Sequence, residues 1–284
     1  MYNILVTGAS GQLGLELKAI AEQYDYVFHF KNSKSLDITN HKLFEQFVIN
    51  EHIDVIINCA AYTAVDKAES EPELANVVNH LAVKHMAEVA KAQQIKLVHI
   101  STDYVFDGKN HKPYVESDLT NPQSVYGQTK LDGELAIQAV SPANSIIIRT
   151  SWVYSKYGNN FVKTMLSLAE TKDELSVVAD QIGSPTNAAD LAKAILIVLP
   201  QIENRSPEIY HYSNEGVCSW YDFAQAIFEL SNLKTLVKAI ETVQYPPTPA
   251  KRPEVSVLNK KKIKAAYGLK IESWYLSLIK TLNS

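Results

Sequence analysis

The chain has 284 residues, 46% hydrophobic and 20% charged, enough for a sizeable core in one large α/β domain or two unequal lobes. Its 27 basic and 31 acidic residues give a net charge of −4, and even the densest basic cluster, Lys260-Lys261-Lys262, reads as a solvated face, which argues against a nucleic-acid partner. Cys59 and Cys218 are the only cysteines and lack metal-ligand spacing, apolar runs such as Ala194 to Leu199 are too short to span a bilayer, and an apolar strand from the third residue leaves no room for a signal peptide, so a cytoplasmic protein without metal or membrane partner is expected.

The first half alternates strand-like and helix-like segments. Asn3 to Thr7 is an apolar strand ended by glycine, and Leu13 to Gln23 follows with helical periodicity. Val27 to Phe30 reads as a second strand, His41 to Asn50 as a helix, and Asp54 to Asn58 as a third strand. Glu71 to Ala92 reads as one long helix with proline in its first turn, where the missing N–H is harmless. Leu97 to Ser101 is a fourth strand, Val125 to Ala139 a helix and Ser145 to Arg149 a fifth strand. Continuously apolar strands are buried on both faces, which predicts a doubly wound, Rossmann-like parallel sheet with helices on either side. After Arg149 the rhythm breaks, with an irregular stretch around Trp152, Tyr154, Tyr157 and Gly158 and prolines clustered between Pro246 and Pro253. Helices are still expected at Ala188 to Leu199 and Trp220 to Leu230. The expected division is a dinucleotide-binding domain over 1–150 and a mainly substrate-binding lobe over 151–284, with interleaving allowed.

Gly8-Ala9-Ser10-Gly11-Gln12-Leu13-Gly14 follows the first strand and opens the first helix. Glycines there permit a tight turn, and the free N–H groups of the helix start suit a dinucleotide pyrophosphate. Tyr126 and Lys130 are four residues apart on a predicted helix and share a face. An ammonium beside a phenol favours the phenolate, making Tyr126 a better proton donor at neutral pH. Thr102, directly after the fourth strand, can add a hydroxyl to the same substrate oxygen. The histidines form no metal pattern, and His99 reads as a core histidine; no G-x-S-x-G elbow points to a hydrolase.

The glycine turn, Asn58-Cys59-Ala60-Ala61, Ser101-Thr102-Asp103 and Tyr126-x-x-x-Lys130 together resemble the extended short-chain dehydrogenase/reductase family. Within it, Tyr62 to Glu69, Ser101 to Gly108, Arg149 to Tyr154, Gly158 to Phe161 and Thr248 to Pro253 are similar to the dTDP-4-dehydrorhamnose reductases, a likeness covering nearly the whole chain. The resemblance implies hydride transfer from NADPH or NADH to the C4 ketone of a dTDP-sugar, the last step of dTDP-L-rhamnose synthesis for cell-surface polysaccharide. It implies Tyr126 as proton donor, Lys130 on the nicotinamide ribose, and Thr102 and Asp103 on the sugar. Trp152 would lie against the deoxysugar ring and Arg252 against the diphosphate, whose geometry a guanidinium matches. Gly11, Gln12 and Leu13 would lie under the pyrophosphate, Asp37 and Ile38 near adenine, and Ala61, Tyr62 and Thr63 along the cofactor. A homodimer is one assembly this reading allows.

Epimerases and 4,6-dehydratases of the family share the glycine turn and the Tyr-Lys pair, but dehydratases typically follow threonine with Asp-Glu, where this chain has Asp103-Tyr104. A regulatory subunit of a methionine adenosyltransferase uses the same fold without needing an intact Thr102, Tyr126 and Lys130. One departure bears on the cofactor. The second strand ends Phe30-Lys31-Asn32-Ser33-Lys34, without the carboxylate that NAD binders often place there. Lys31 and Lys34 are candidate cations for the 2′-phosphate of NADPH, and tolerance of both cofactors with modest NADPH preference is expected.

Overall fold

Five apolar segments fold as strands: β1 (Asn3–Thr7), β2 (Val27–Lys31), β3 (Val55–Asn58), β4 (Lys96–Thr102) and β5 (Ser145–Thr150). The computed structural model, which describes residues 1–283, pairs them in parallel in the order β5-β4-β3-β1-β2. A further parallel strand, Glu208–His211, lies beside β5; its four residues carry too little pattern to be read from sequence. Ile4, Leu5 and Val6 are all 0% exposed although neighbouring side chains point to opposite faces, so both faces of the sheet are covered. On one face, Leu13 and Leu17 of the helix Gln12–Ile20 meet Leu191 and Ile195 of the helix Ala188–Val198. On the other, Phe44 and Val48 of His41–Asn50 meet Met86 and Val89 of Ala82–Gln93.

The chain after Thr150 is split between two cores. Ala188–Val198 and Glu208–His211 return to the central sheet. The rest gathers round Tyr154, Phe223, Ile227 and Leu278, with helices Phe161–Ala169, Trp220–Leu230 and Trp274–Leu282. A parallel pair, Glu174–Val178 with Leu236–Ile240, completes this lobe. The helix Phe161–Ala169 emerges from the stretch read as irregular, started by the Asn160 side chain, which accepts a bond from Lys163 N at 3.2 Å.

The long helix is also modified. Pro72–Asn76 and Ala82–Gln93 are α-helical, but Val77–Leu81 between them winds as a π turn. The wider turn lets the Asn79 amide bond both sides of Tyr62: Tyr62 N donates to Oδ1 at 2.8 Å, and Nδ2 donates to Tyr62 O at 3.1 Å. Periodicity cannot register one extra residue in a turn.

Because β2 and β3 flank β1 on opposite sides, the strand order reverses there, and the loops after β1 and β3 open a crevice at the carboxyl ends of the sheet.

Candidate active site

A cleft of about 2180 Å³ runs along that edge and into the second lobe. This exceeds the usual volume of a pocket for one small ligand and has room for two extended ones. Its first wall is the glycine turn. Gly8 has φ +65°, and a Cβ there would stand 2.6 Å from Ala60 N; one on Gly14 would stand 2.5 Å from Gly8 O. The turn thus presses against the loop after β3, and only glycine permits it. No side chain caps the helix Gln12–Ile20, so its first N–H groups are free to meet a phosphate. Gly11, Gln12, Leu13, Asp37, Ile38, Ala61, Tyr62 and Thr63 all line the same cleft.

Thr102, Asp103, Tyr126 and Lys130 also line it, beside the carboxyl end of β4. The helix that carries the last two, Val125–Val140, is set by Ser124, whose hydroxyl accepts from Gly127 N at 3.1 Å. The Lys130 ammonium was expected beside the phenol. Its Nζ instead donates to Ile100 O at 2.6 Å and lies 3.3 Å from His99 Nε2. Burial lowers the Lys130 pKa to about 8, against the Coulombic pull of Glu134 and Cys59. Burial is also the largest influence on Tyr126 and pushes its hydroxyl above the ordinary phenol range; the nearby Thr102 hydroxyl works the other way. The phenol therefore stays protonated at neutral pH.

Asp103 is 3% exposed, and desolvation raises its pKa to about 7 despite the Thr102 and Ser256 hydroxyls. Thr102 Oγ1 donates to its Oδ1 at 2.9 Å, while Oδ2 accepts no hydrogen bond of normal geometry. The carboxyl is thus half satisfied at the floor of the cleft.

Trp152 lines the cleft with φ +50°, an uncommon conformation for a bulky side chain. Its ring stacks on Trp220, with centroids 3.5 Å apart and planes at 10°, so one face is held by the second lobe. Arg252 also lines the cleft: Nη2 meets Asp66 Oδ2 at 2.5 Å and Nη1 donates to the Tyr104 hydroxyl at 3.2 Å. The pair is partly exposed, a class of ion pair worth roughly 0–1 kcal/mol, so exchange of Asp66 for a ligand phosphate is cheap.

Lys31 is not among the residues lining the cleft, contrary to expectation. Its ammonium lies 4.7 Å from the Phe47 ring centroid, over the helix His41–Asn50, because β2 is the edge strand and that helix covers its end. Asn32 and Ser33 line the cleft in its place. Three residues at the site carried no sequence signal of their role. Trp220 backs Trp152, Asn79 ties Tyr62 to the Tyr-Lys helix through Thr129 Oγ1 at 3.2 Å, and His99 faces Lys130.

The family model described as "RmlD substrate binding domain" matches residues 2–284. A dTDP-4-dehydrorhamnose reductase of Aggregatibacter actinomycetemcomitans is 44% identical, covering 98% of this chain and 97% of that protein. The crystal structure of a dTDP-4-dehydrorhamnose reductase of Clostridium acetobutylicum superposes with a TM-score of 0.94 at 42% identity, covering 99% of this chain and 98% of the other. That of a dTDP-4-dehydrorhamnose reductase of Bacillus anthracis in complex with NADP does so with a TM-score of 0.92 at 39% identity, covering 100% and 99%. The chain belongs to the dTDP-4-dehydrorhamnose reductase family.

Proposed function

We propose that the protein reduces the C4 ketone of dTDP-4-dehydro-β-L-rhamnose to dTDP-β-L-rhamnose with NADPH or NADH. The observation that carries this is the meeting of Thr102, Tyr126 and Lys130 in one cleft with the glycine turn. The cleft suits a dinucleotide on its own evidence: Gly8 and Gly14 let the turn close on itself and on the loop after β3, where any Cβ would clash with backbone, and the adjoining helix start has uncapped donors.

When bound, the nicotinamide supplies the hydride that reaches the ketone carbon. Tyr126 gives its phenolic proton to the ketone oxygen; an alkoxide is a stronger base than a phenolate, so the transfer runs downhill. The Thr102 hydroxyl turns from Asp103 Oδ1 to donate to the same oxygen and then to the phenolate. Lys130 holds the nicotinamide ribose, and the Gly11–Leu13 backbone holds the pyrophosphate. Asp37 and Ile38 border adenine, and Ala61, Tyr62 and Thr63 the rest of the cofactor. Asp103 contacts the sugar, Trp152 packs on its ring, and Arg252 turns from Asp66 to the diphosphate. Residues 1–150, with the segments that return to the sheet, hold the dinucleotide, and the lobe from 151–284 holds mainly the sugar nucleotide.

The reading includes a cytoplasmic homodimer; the free thiols of Cys59 and Cys218 suit a reducing compartment, and sedimentation measures the assembly. The test of function is a turnover assay with the dTDP-4-keto sugar. Each sugar reduced should consume one NADPH, whereas product formed without loss of the reduced-nicotinamide absorbance would mean an epimerase.

A further inference from the structure

The buried polar chain under Lys130 has a fixed direction. Asn58, 0% exposed, receives the Thr7 hydroxyl at 2.6 Å and the Ala60 N–H at 3.1 Å on one side-chain atom, its Oδ1. A backbone N–H can only donate, so that atom is the amide oxygen and the other is the amide nitrogen. The nitrogen stands 2.9 Å from His99 Nδ1, which must therefore accept. A neutral imidazole carries one proton, and it falls on Nε2. His99 is neutral, because burial and the Lys130 charge hold it well below the ordinary histidine range. Its Nε2–H therefore faces Lys130 Nζ across 3.3 Å. An ammonium there meets donor with donor, while an amine offers a lone pair. The bond to Ile100 O at 2.6 Å is open to either form.

We propose that Asn58 and His99 act as a tautomer lock that presents an N–H, not a lone pair, to Lys130 and so opposes its protonation. Both are positioning residues acting through Lys130, and the proposal rests on the reading of Lys130 as the ribose-holding lysine. The other titratable groups acting on Nζ are Cys59 after β3 and, on its own helix, Glu134. Burial holds the Cys59 thiol far above neutrality and Glu134 is paired with Arg149 at 2.6 Å, which leaves Lys130 as the group on which the lock acts. Asp103, directly after β4, also titrates near neutrality and is followed through its own carboxyl signal.

The lock makes NADPH affinity sensitive to alkali, falling about tenfold per pH unit once Lys130 loses its proton. Asn58→Asp keeps the oxygen that Thr7 and Ala60 need, moves the imidazole proton to Nδ1, and turns the Nε2 lone pair toward Lys130. His99→Gln adds no charge and frees an amide to rotate its oxygen toward Nζ. The experiment follows the Lys130 Cε resonance against pH in the protein alone, and then NADPH affinity by fluorescence over the same range. Both variants should move the Lys130 titration and the alkaline limb of affinity upward together. A shift in Asn58→Asp without one in His99→Gln would trace the effect to the added charge and overturn the lock. So would unchanged titrations in both. If either variant fails to fold, the long-range ¹H–¹⁵N pattern of His99 in the unaltered protein decides: the Nε2–H tautomer is expected, and Nδ1–H refutes the proposal. Failure of NADPH to bind at any pH would instead count against the reductase reading, leaving the tautomer and the Lys130 titration to judge the lock.

Discussion

Replacing Tyr126 with Phe removes one oxygen from the centre of the cleft and little else. The ring keeps its edge contact with Tyr104, whose centroid is 5.5 Å away at 76°, and the Ser124 cap of the helix is untouched. Stability should fall by no more than about 1 kcal/mol, the net worth of a typical hydrogen bond. The rate should fall far more. General acid catalysis contributes roughly 10²–10⁴-fold, which is about 2.7–5.4 kcal/mol of barrier. The structure also says what residual activity should look like. Asp103 is the nearest other acid, with a pKa near 7, and connects to the same oxygen position through Thr102. Turnover in the variant should therefore rise as pH falls through neutrality, where Asp103 takes up its proton, while NADPH affinity stays near that of the unaltered protein. The assay is kcat against pH by nicotinamide absorbance, with affinity measured separately by fluorescence. Near-normal kcat would refute Tyr126 as the proton donor, and residual activity flat with pH would refute Asp103 as the substitute.

Lys130→Met should both weaken NADPH binding and slow turnover, and should lower the melting temperature because the Ile100 carbonyl loses a buried partner, at about 1–3 kcal/mol for an unsatisfied group; fluorescence titration and thermal melts check this, and NADPH affinity equal to that of Tyr126→Phe would refute the ribose role. Asn32→Asp keeps the oxygen that accepts from Lys34 N and Ser35 N at 3.0 and 3.1 Å while placing a carboxylate in the cleft wall, so the ratio of kcat/KM should shift toward NADH. Lys31→Asp should shift that ratio less, since Lys31 lies over Phe47; a larger effect from Lys31 would place the 2′-phosphate elsewhere. Asp103 has a folded pKa of about 7 against 3.8 unperturbed, so its contribution to stability is fully present below 3.8 and is lost as pH rises through 7. Asp103→Asn escapes that loss, and its melting temperature relative to the unaltered protein should climb between acid and neutral pH by the equivalent of up to about 4 kcal/mol; a constant difference across that range would contradict a buried, titrating Asp103.

Much of the glycine-turn end of the cleft was legible because backbone makes it. The strand, the glycine turn and the helix start are local in sequence, and their periods and glycines can be read within a dozen residues of Gly8. Lys31 failed because its direction depends on a helix beginning ten residues later, at His41, whose Phe47 ring takes the ammonium. Trp220 and Asn79 were silent for a related reason: one acts by stacking on a residue 68 positions away, the other through a π turn that hydrophobic periodicity averages out. The sixth strand, Glu208–His211, was missed because a four-residue edge strand owes its conformation to β5 rather than to its own pattern.

His99 shows how a correct reading can still miss the chemistry. As a core histidine it is 0% exposed, as its place inside β4 predicts. Yet a buried imidazole cannot be inert, since both nitrogens need partners and only one can donate while the ring is neutral. Pairing Nδ1 with Asn58 leaves Nε2–H to find an acceptor, and among the described residues the group within reach is Lys130 Nζ, 3.3 Å away. The same accounting holds for Asp103, whose unmet Oδ2 and Thr102-bound Oδ1 fix where a proton is wanted. The chemistry of the cleft is therefore set one layer below its surface. The residues lining it determine what can bind, and the hydrogen-bond directions beneath them determine which of those residues carry a proton when it does.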